Sequence, residues 1–130
     1  MRAMLAAILV AAVVAPATAQ TPTTVLVDKD GEVVDTLLLR YGFDAMWAVD
    51  QERILLRDTY RDHYLLTLTA PCPKLDMNRS VTFVPALAGR IKASLVYEAR
   101  DKAGPPCDIA RVEWVDRERA VALRAEVARG

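Results

Sequence analysis

Three kinds of side chain in this 130-residue chain could do chemistry: a single histidine, a pair of cysteines, and a charged segment that runs up to the histidine. His63 could serve as an acid or base. A serine triad would need a nucleophile beside it, but the only serines are Ser80 and Ser94, and neither sits in a G-x-S-x-G elbow. Cys72 or Cys107 could act as a thiol nucleophile with His63, unless the two are oxidised to each other. Asp58, Asp62 and His63 could hold a metal loosely, yet three donors on one loop are common by chance, and a solvated loop histidine is the expected reading. Asp28-Lys29-Asp30-Gly31-Glu32 resembles the start of a calcium loop, but its glycine comes too early and the distal glutamate spacing is missing. A hairpin turn explains the same residues. No glycine-rich phosphate loop occurs. The sequence therefore leads us to expect no catalytic group, no metal site and no cofactor. Trp47, Trp114, Tyr64, Tyr97 and Phe83 could line a ligand groove; in a small domain they are expected mainly in the core.

The elements that would position these residues are mostly strands. Val25–Val27 and Glu32–Leu39 flank the Asp-Gly turn signal at Asp30-Gly31. Ala45–Val49 and Arg53–Arg57 flank Asp50-Gln51-Glu52, and Asp58–Asp62 is expected as a charged loop. Tyr64–Thr69 alternates, with Tyr64, Leu66 and Leu68 on one face and Leu65 on the other. Pro71-Cys72-Pro73 stops that strand. Val81–Val84 and Arg90–Glu98 read as further strands, the second placing Ile91, Ala93, Leu95 and Tyr97 on one face. Cys107–Val115 is the last strand. Ile109 and Val112 cannot point the same way in regular β structure, so a bulge is expected there. Beyond Asp116, a residue suited to cap a helix, Ala120, Leu123 and Val127 recur at helical spacing. The expected fold is mainly β: a small antiparallel barrel or sandwich of six to seven short strands with a short C-terminal helix, and no βαβ alternation.

The N-terminus sets the expected compartment. Arg2 precedes an unbroken apolar run from Leu5 to Ala15, and Ala17-Thr18-Ala19 supplies the small residues of a cleavage site. The run is shorter than the roughly 20 residues a membrane span needs. We expect a signal peptide over residues 1–19 cut between Ala19 and Gln20, a polar linker at 20–24, and one β-rich domain at 25–130. The processed chain would hold about 111 residues, enough for one core. In an exported chain the two cysteines read as one structural disulfide, Cys72–Cys107. The spacing has no C-x-x-C and does not make a zinc site. Closing a loop of about 36 residues would stabilise the fold by about 3.5–4 kcal/mol.

Charge excludes some partners. Lys and Arg number 17, matched by 17 Asp and Glu, and the two signs are interleaved. There is no footprint for nucleic acid and no polybasic handle for a membrane surface.

Trp47-Ala48-Val49-Asp50, Tyr64-Leu65-Leu66-Thr67-Leu68, Pro71-Cys72 with Leu75, and Cys107-Asp108-Ile109 follow one another in order. This order resembles a family of small exported Gram-negative bacterial proteins with a domain of unknown function, patterned W-x-x-x-D, Y-L-x-x-L, P-C-x-x-L and C-x-I. The similarity covers about residues 40–115. The resemblance implies a signal peptide and an internal cysteine pair, and brings no activity, ligand or catalytic residue. Together these features point to a periplasmic or secreted, non-enzymatic module that binds a protein or envelope component. The alternatives are a secreted hydrolase inhibitor acting through Asp58–Asp62 with Arg57 and Arg61, and an enzyme using His63.

Overall fold

The computed structural model describes residues 23–39, 42–72, 81–100 and 106–129. The leader, its expected cleavage point at Ala19 and Gln20, and Ser80 lie outside these residues. Ten strands and one helix follow in order: β1 (Val25–Val27), β2 (Val33–Val34), β3 (Thr36–Leu39), β4 (Phe43–Ala48), β5 (Arg53–Asp58), β6 (His63–Leu68), β7 (Thr82–Val84), β8 (Gly89–Lys92), β9 (Tyr97–Arg100), β10 (Cys107–Val115) and α1 (Arg117–Arg129). The main sheet runs β2-β1-β10-β6-β5-β4, with β9 also on β10 and β7 on β9. β3 and β8 form a separate two-stranded antiparallel sheet. The fold is mainly β with a C-terminal helix, as expected. The sheets do not close into a barrel, the strands number ten among the described residues rather than six or seven, and the β1–β10 pairing is parallel.

Local chemistry explains the turns. Asp28 Oδ1 accepts hydrogen bonds from the amides of Asp30 and Glu32, at 2.9 and 3.0 Å, so the expected hairpin forms with β2 folding back on β1. Gly31, at φ +77°, supplies the left-handed residue of that turn. In β10 the register shifts between Ile109 and Arg111, so Ala110 is the extra residue of a bulge. Ile109 and Val112 are thereby both turned into the core, as the parity of the sequence required.

One strand expectation is corrected. Arg90–Glu98 is not one strand: the amide of Leu95 donates to the carbonyl of Lys92 in a turn, and the Tyr97 hydroxyl accepts from the Lys92 amide. The halves then serve different partners, β8 pairing β3 while β9 pairs β7 and β10. Leu95, expected beside Ile91 and Tyr97, is 40 % exposed. Thr24 is buried: its hydroxyl donates to the Ile109 carbonyl at 2.8 Å and accepts from the Tyr97 amide at 3.3 Å. It thus fills the seam where β9 gives way to β1 along one edge of β10.

The central strands are buried on both faces. Ile54, Leu56, Tyr64, Leu66, Leu68, Ile109 and Val112 face the larger core with Tyr97 and Phe83. Leu55 and Leu65 face a second core with Val49 and Val115, roofed by Ala120 and Leu123 of α1 and flanked by Val127. The chain turns from β10 into α1 through Asp116 alone. Asp116 Oδ1 accepts from the Arg119 amide at 2.8 Å and caps the helix. Burying a leucine side chain contributes about 1.5–3 kcal/mol, so Leu123 is the main anchor of α1. Cys72 and Cys107 are bonded, tying the exit of β6 to the start of its neighbour β10. Among the described residues no helix is long and apolar enough to cross a membrane.

Candidate functional site

A cleft of about 430 Å³ opens where α1 passes over the β5–β6 turn and the end of β10. It is lined by Arg57, Arg61, Asp62, His63, Trp114, Val115, Arg117, Ala120, Val121 and Arg124. The cations come from three separate elements. Arg57 and His63 are cross-strand partners in the β5–β6 pair. Arg61 stands in the turn joining those strands. Arg117 and Arg124 are seven residues apart on α1, two turns along one face, with Ala120 between them. Arg57 is held by Asp44, Nε to Oδ1 2.9 Å, and Asp44 is the extra residue of a bulge in β4. Among the described residues Arg61, Arg117 and Arg124 make no ion pair. The chain as a whole is neutral, so four guanidinium groups against the one carboxylate of Asp62 make a local asymmetry.

Trp47 borders the far side. The Arg124 guanidinium lies 4.5 Å above its ring and that of Arg57 lies 5.7 Å away. His63 stacks on Trp47 with centroids 6.2 Å apart and planes 23° from parallel. A shallower groove continues past Arg124 along Trp47, Val121, Ala125 and Val127. Val121 is 60 % exposed between the two hollows.

The β5–β6 turn has a twin in the same chain. In both, the leading aspartate accepts two backbone amides: Asp58 Oδ1 from Tyr60 and Asp62, at 2.9 and 2.8 Å, as Asp28 does from Asp30 and Glu32. In both, the fourth residue is left-handed. In the first turn that residue is Gly31; in the second it is Arg61, at φ +69°. A side chain with a Cβ costs about 1 kcal/mol in that conformation. The fold therefore carries a strained arginine at the lip of the cleft, where a glycine would suit the backbone better.

His63 is not the solvated loop residue expected from the sequence. It opens β6 and is half-buried. Burial, together with the charges of Arg57 and Arg124, lowers its pKa below the ordinary histidine value, against the opposing pull of Asp58 and Asp62. Asp58 is itself buried and committed to its turn, so Asp58, Asp62 and His63 do not converge as ligands; no metal-binding cluster occurs among the described residues. Burial, with the charges of Asp58 and Asp62 behind it, pushes the Tyr64 hydroxyl up to about 12; that hydroxyl donates to the Leu38 carbonyl at 3.1 Å, tying the main sheet to β3.

The sequence placed some of these residues and missed others. Tyr64, Tyr97 and Phe83 are core, as expected, while Trp47 and Trp114 are partly buried and border the cleft. Arg57 and Arg61, singled out with the charged loop, do line it. Arg117 and Arg124 were not singled out. Their seven-residue spacing was the available signal, but nothing local shows that the helix crosses the β5–β6 turn.

The comparison with protein families decides one point: a family of unknown function, DUF6491, matches residues 1–130. The chain belongs to that family. The match extends beyond the 40–115 segment that carried the resemblance. Trp47 and Asp50 stand one position closer than the W-x-x-x-D spacing. No curated protein and no solved structure matches the chain. Membership in DUF6491 supplies no activity or ligand to transfer, so the cleft is read from its own geometry.

Proposed function

We propose that this member of DUF6491 is an exported, periplasmic or secreted module that binds a protein or envelope component without transforming it, and that the cleft under α1 is its binding surface. The observation that carries this reading is the convergence of Arg57, Arg61, Arg117 and Arg124 on one concavity of an otherwise neutral chain. The cleft lining contains no serine, thiol or lysine nucleophile among the described residues, and both cysteines are spent in a disulfide. The leader and the disulfide favour work outside the cytosol.

The test is capture from a periplasmic extract with the purified protein and with an Arg117→Glu/Arg124→Glu variant, over a range of salt. A specific partner recovered by the wild type and lost with the variant supports the reading. Equal recovery by both, or none above background at any salt, counts against it.

One observation favours the inhibitor reading as a second possibility: the β5–β6 turn is pinned by Asp58 and displays Tyr60, 55 % exposed, next to Arg61. A rigid convex loop of that kind can enter an enzyme cleft. In that case Arg61→Ala abolishes binding while Arg124→Ala leaves it intact.

A further inference from the structure

We propose that the cleft under α1 is a phosphate-ester site, in which Arg61, Arg117 and Arg124 hold the anion and Trp114 and Val121 contact the organic part of the ligand. This rests on the reading of the cleft as the binding surface and extends its occupant from a protein or envelope component to a small phosphate-bearing molecule.

The first argument is charge. Guanidinium groups on separate elements repel one another, and the structure keeps Arg61, Arg117 and Arg124 around one hollow without an ion-pair partner among the described residues. Such an arrangement is stabilised by an anion with enough oxygens to serve several forks. A carboxylate offers two oxygens to one bidentate arginine. A phosphate monoester offers three, spread tetrahedrally, with a charge of about −1.5 to −2 near neutral pH. The second argument is shape. A volume of about 430 Å³ suits a small molecule, within the usual range of roughly 300–1,000 Å³. The basic residues do not extend into a stripe that a polymer could follow. The third is the apolar lining beside the charges: Trp114, partly buried, and Val121, 60 % exposed, give a surface on which a sugar or glycerol backbone can rest. The fourth is the place of Arg61: it stands at the lip of the cleft in a turn that Asp58 pins through two backbone hydrogen bonds.

The charged groups facing His63 sharpen the expectation. Arg57 of β5 and Arg124 of α1 push its proton off; Asp58 and Asp62 of the turn oppose them. An anion seated on the arginines offsets the first pair, so ligand and proton assist each other.

The shared chemistry, a phosphate monoester, could come from a free metabolite or a lipid headgroup, and the test separates them. At low ionic strength the purified protein is titrated with inorganic pyrophosphate, with glucose 1-phosphate, with glucose, and with vesicles of phosphatidylcholine with or without phosphatidic acid. Tryptophan fluorescence reports occupancy, since both tryptophans of the chain border the hollows. The ring-proton resonance of the sole histidine reports charge. The expected result is saturable binding of pyrophosphate and glucose 1-phosphate but not glucose, with an upward move of the His63 midpoint. Loss of charge-assisted bonds in Arg117→Gln/Arg124→Gln should weaken it about tenfold or more. Arg61→Gly, whose turn is relaxed rather than damaged, should weaken it too. Binding confined to vesicles that contain phosphatidic acid and lost in the double variant supports the same site with a lipid headgroup as its source. Absence of saturable binding to every phosphate-bearing probe, or binding indifferent to all three arginines, overturns the proposal. Extract capture that depends on Arg117 and Arg124 while every phosphate probe fails overturns this ligand class and leaves the cleft as the binding surface.

Discussion

Opening the Cys72–Cys107 bond should cost a large share of the stability of this fold. The cysteines lie 35 positions apart, and the closed loop contains β7, β8 and β9. In the chain-entropy account, releasing a loop of that length returns about 12.7 cal/mol/K to the unfolded chain, or about 3.8 kcal/mol at 25 °C. A typical domain has about 5–15 kcal/mol in total. For a domain of about 110 residues the unfolding entropy near the midpoint is about 0.23 kcal/mol/K, so Tm should fall by about 16 °C. β6 and β10 are already paired beside the bridge, with Leu68 opposite Ile109, so the native state needs no rearrangement when the bond is absent. The assay is urea unfolding of the wild type and of Cys72→Ala/Cys107→Ala, followed by circular dichroism. The variant should keep the β-sheet spectrum, lose about 3.8 kcal/mol, and show a larger m-value because its unfolded chain exposes more surface. A loss under about 1.5 kcal/mol with m unchanged would refute the claim that the bridge acts by constraining the unfolded loop.

Three further outcomes follow from the packing. Leu123→Ala should cost about 2–4 kcal/mol and release α1 before the sheet, because a helix of 13 residues does not persist alone; hydrogen exchange should show α1 amides losing protection while β6 amides keep theirs, and coupled loss in both would contradict the two-core description. Arg61→Gly should stabilise the protein by about 0.5–1 kcal/mol by relieving the left-handed backbone, and a lower urea midpoint would show that the arginine side chain contributes more to folding than its backbone costs. The pH dependence has two limbs of opposite sign. His63 has a lowered folded pKa, so the unfolded chain takes up its proton first: stability is complete above about 6.5 and declines as pH falls below it, and His63→Gln should flatten that limb. Tyr64 is raised to about 12, so stability declines as pH rises above 10, and Tyr64→Phe should flatten that limb; an unchanged limb in that variant would contradict the burial of the Tyr64 hydroxyl.

The legible parts of this fold are those fixed by neighbours in the chain. Asp28 to Gly31 forms its hairpin because the aspartate bonds its own turn and glycine tolerates positive φ. The β10 bulge follows from the parity of Ile109 and Val112, and the helix start from Asp116. The illegible parts depend on which strand meets which. Arg90–Glu98 alternates without a break in sequence, yet its two ends pair with β3 and with β7 and β10, so the chain must turn at Lys92–Leu95. The parallel β1–β10 pair joins segments far apart in the chain, and no local pattern encodes it. The site was half legible for the same reason. Arg57, Arg61 and His63 stand in one hairpin. Arg117 and Arg124 reach them only because Leu123 seats α1 on Leu55 and Leu65.

The central claim, that the cleft is where this protein meets its partner, is tested most directly by site-specific photo-crosslinking in the cells that make it. A photoreactive residue is placed at Val121, between the two hollows, or at Val33, 73 % exposed on β2 at the other edge of the main sheet. Irradiation should yield a discrete crosslinked product from Val121 and none from Val33. Equal products from both positions, or a product from Val33 alone, would contradict it.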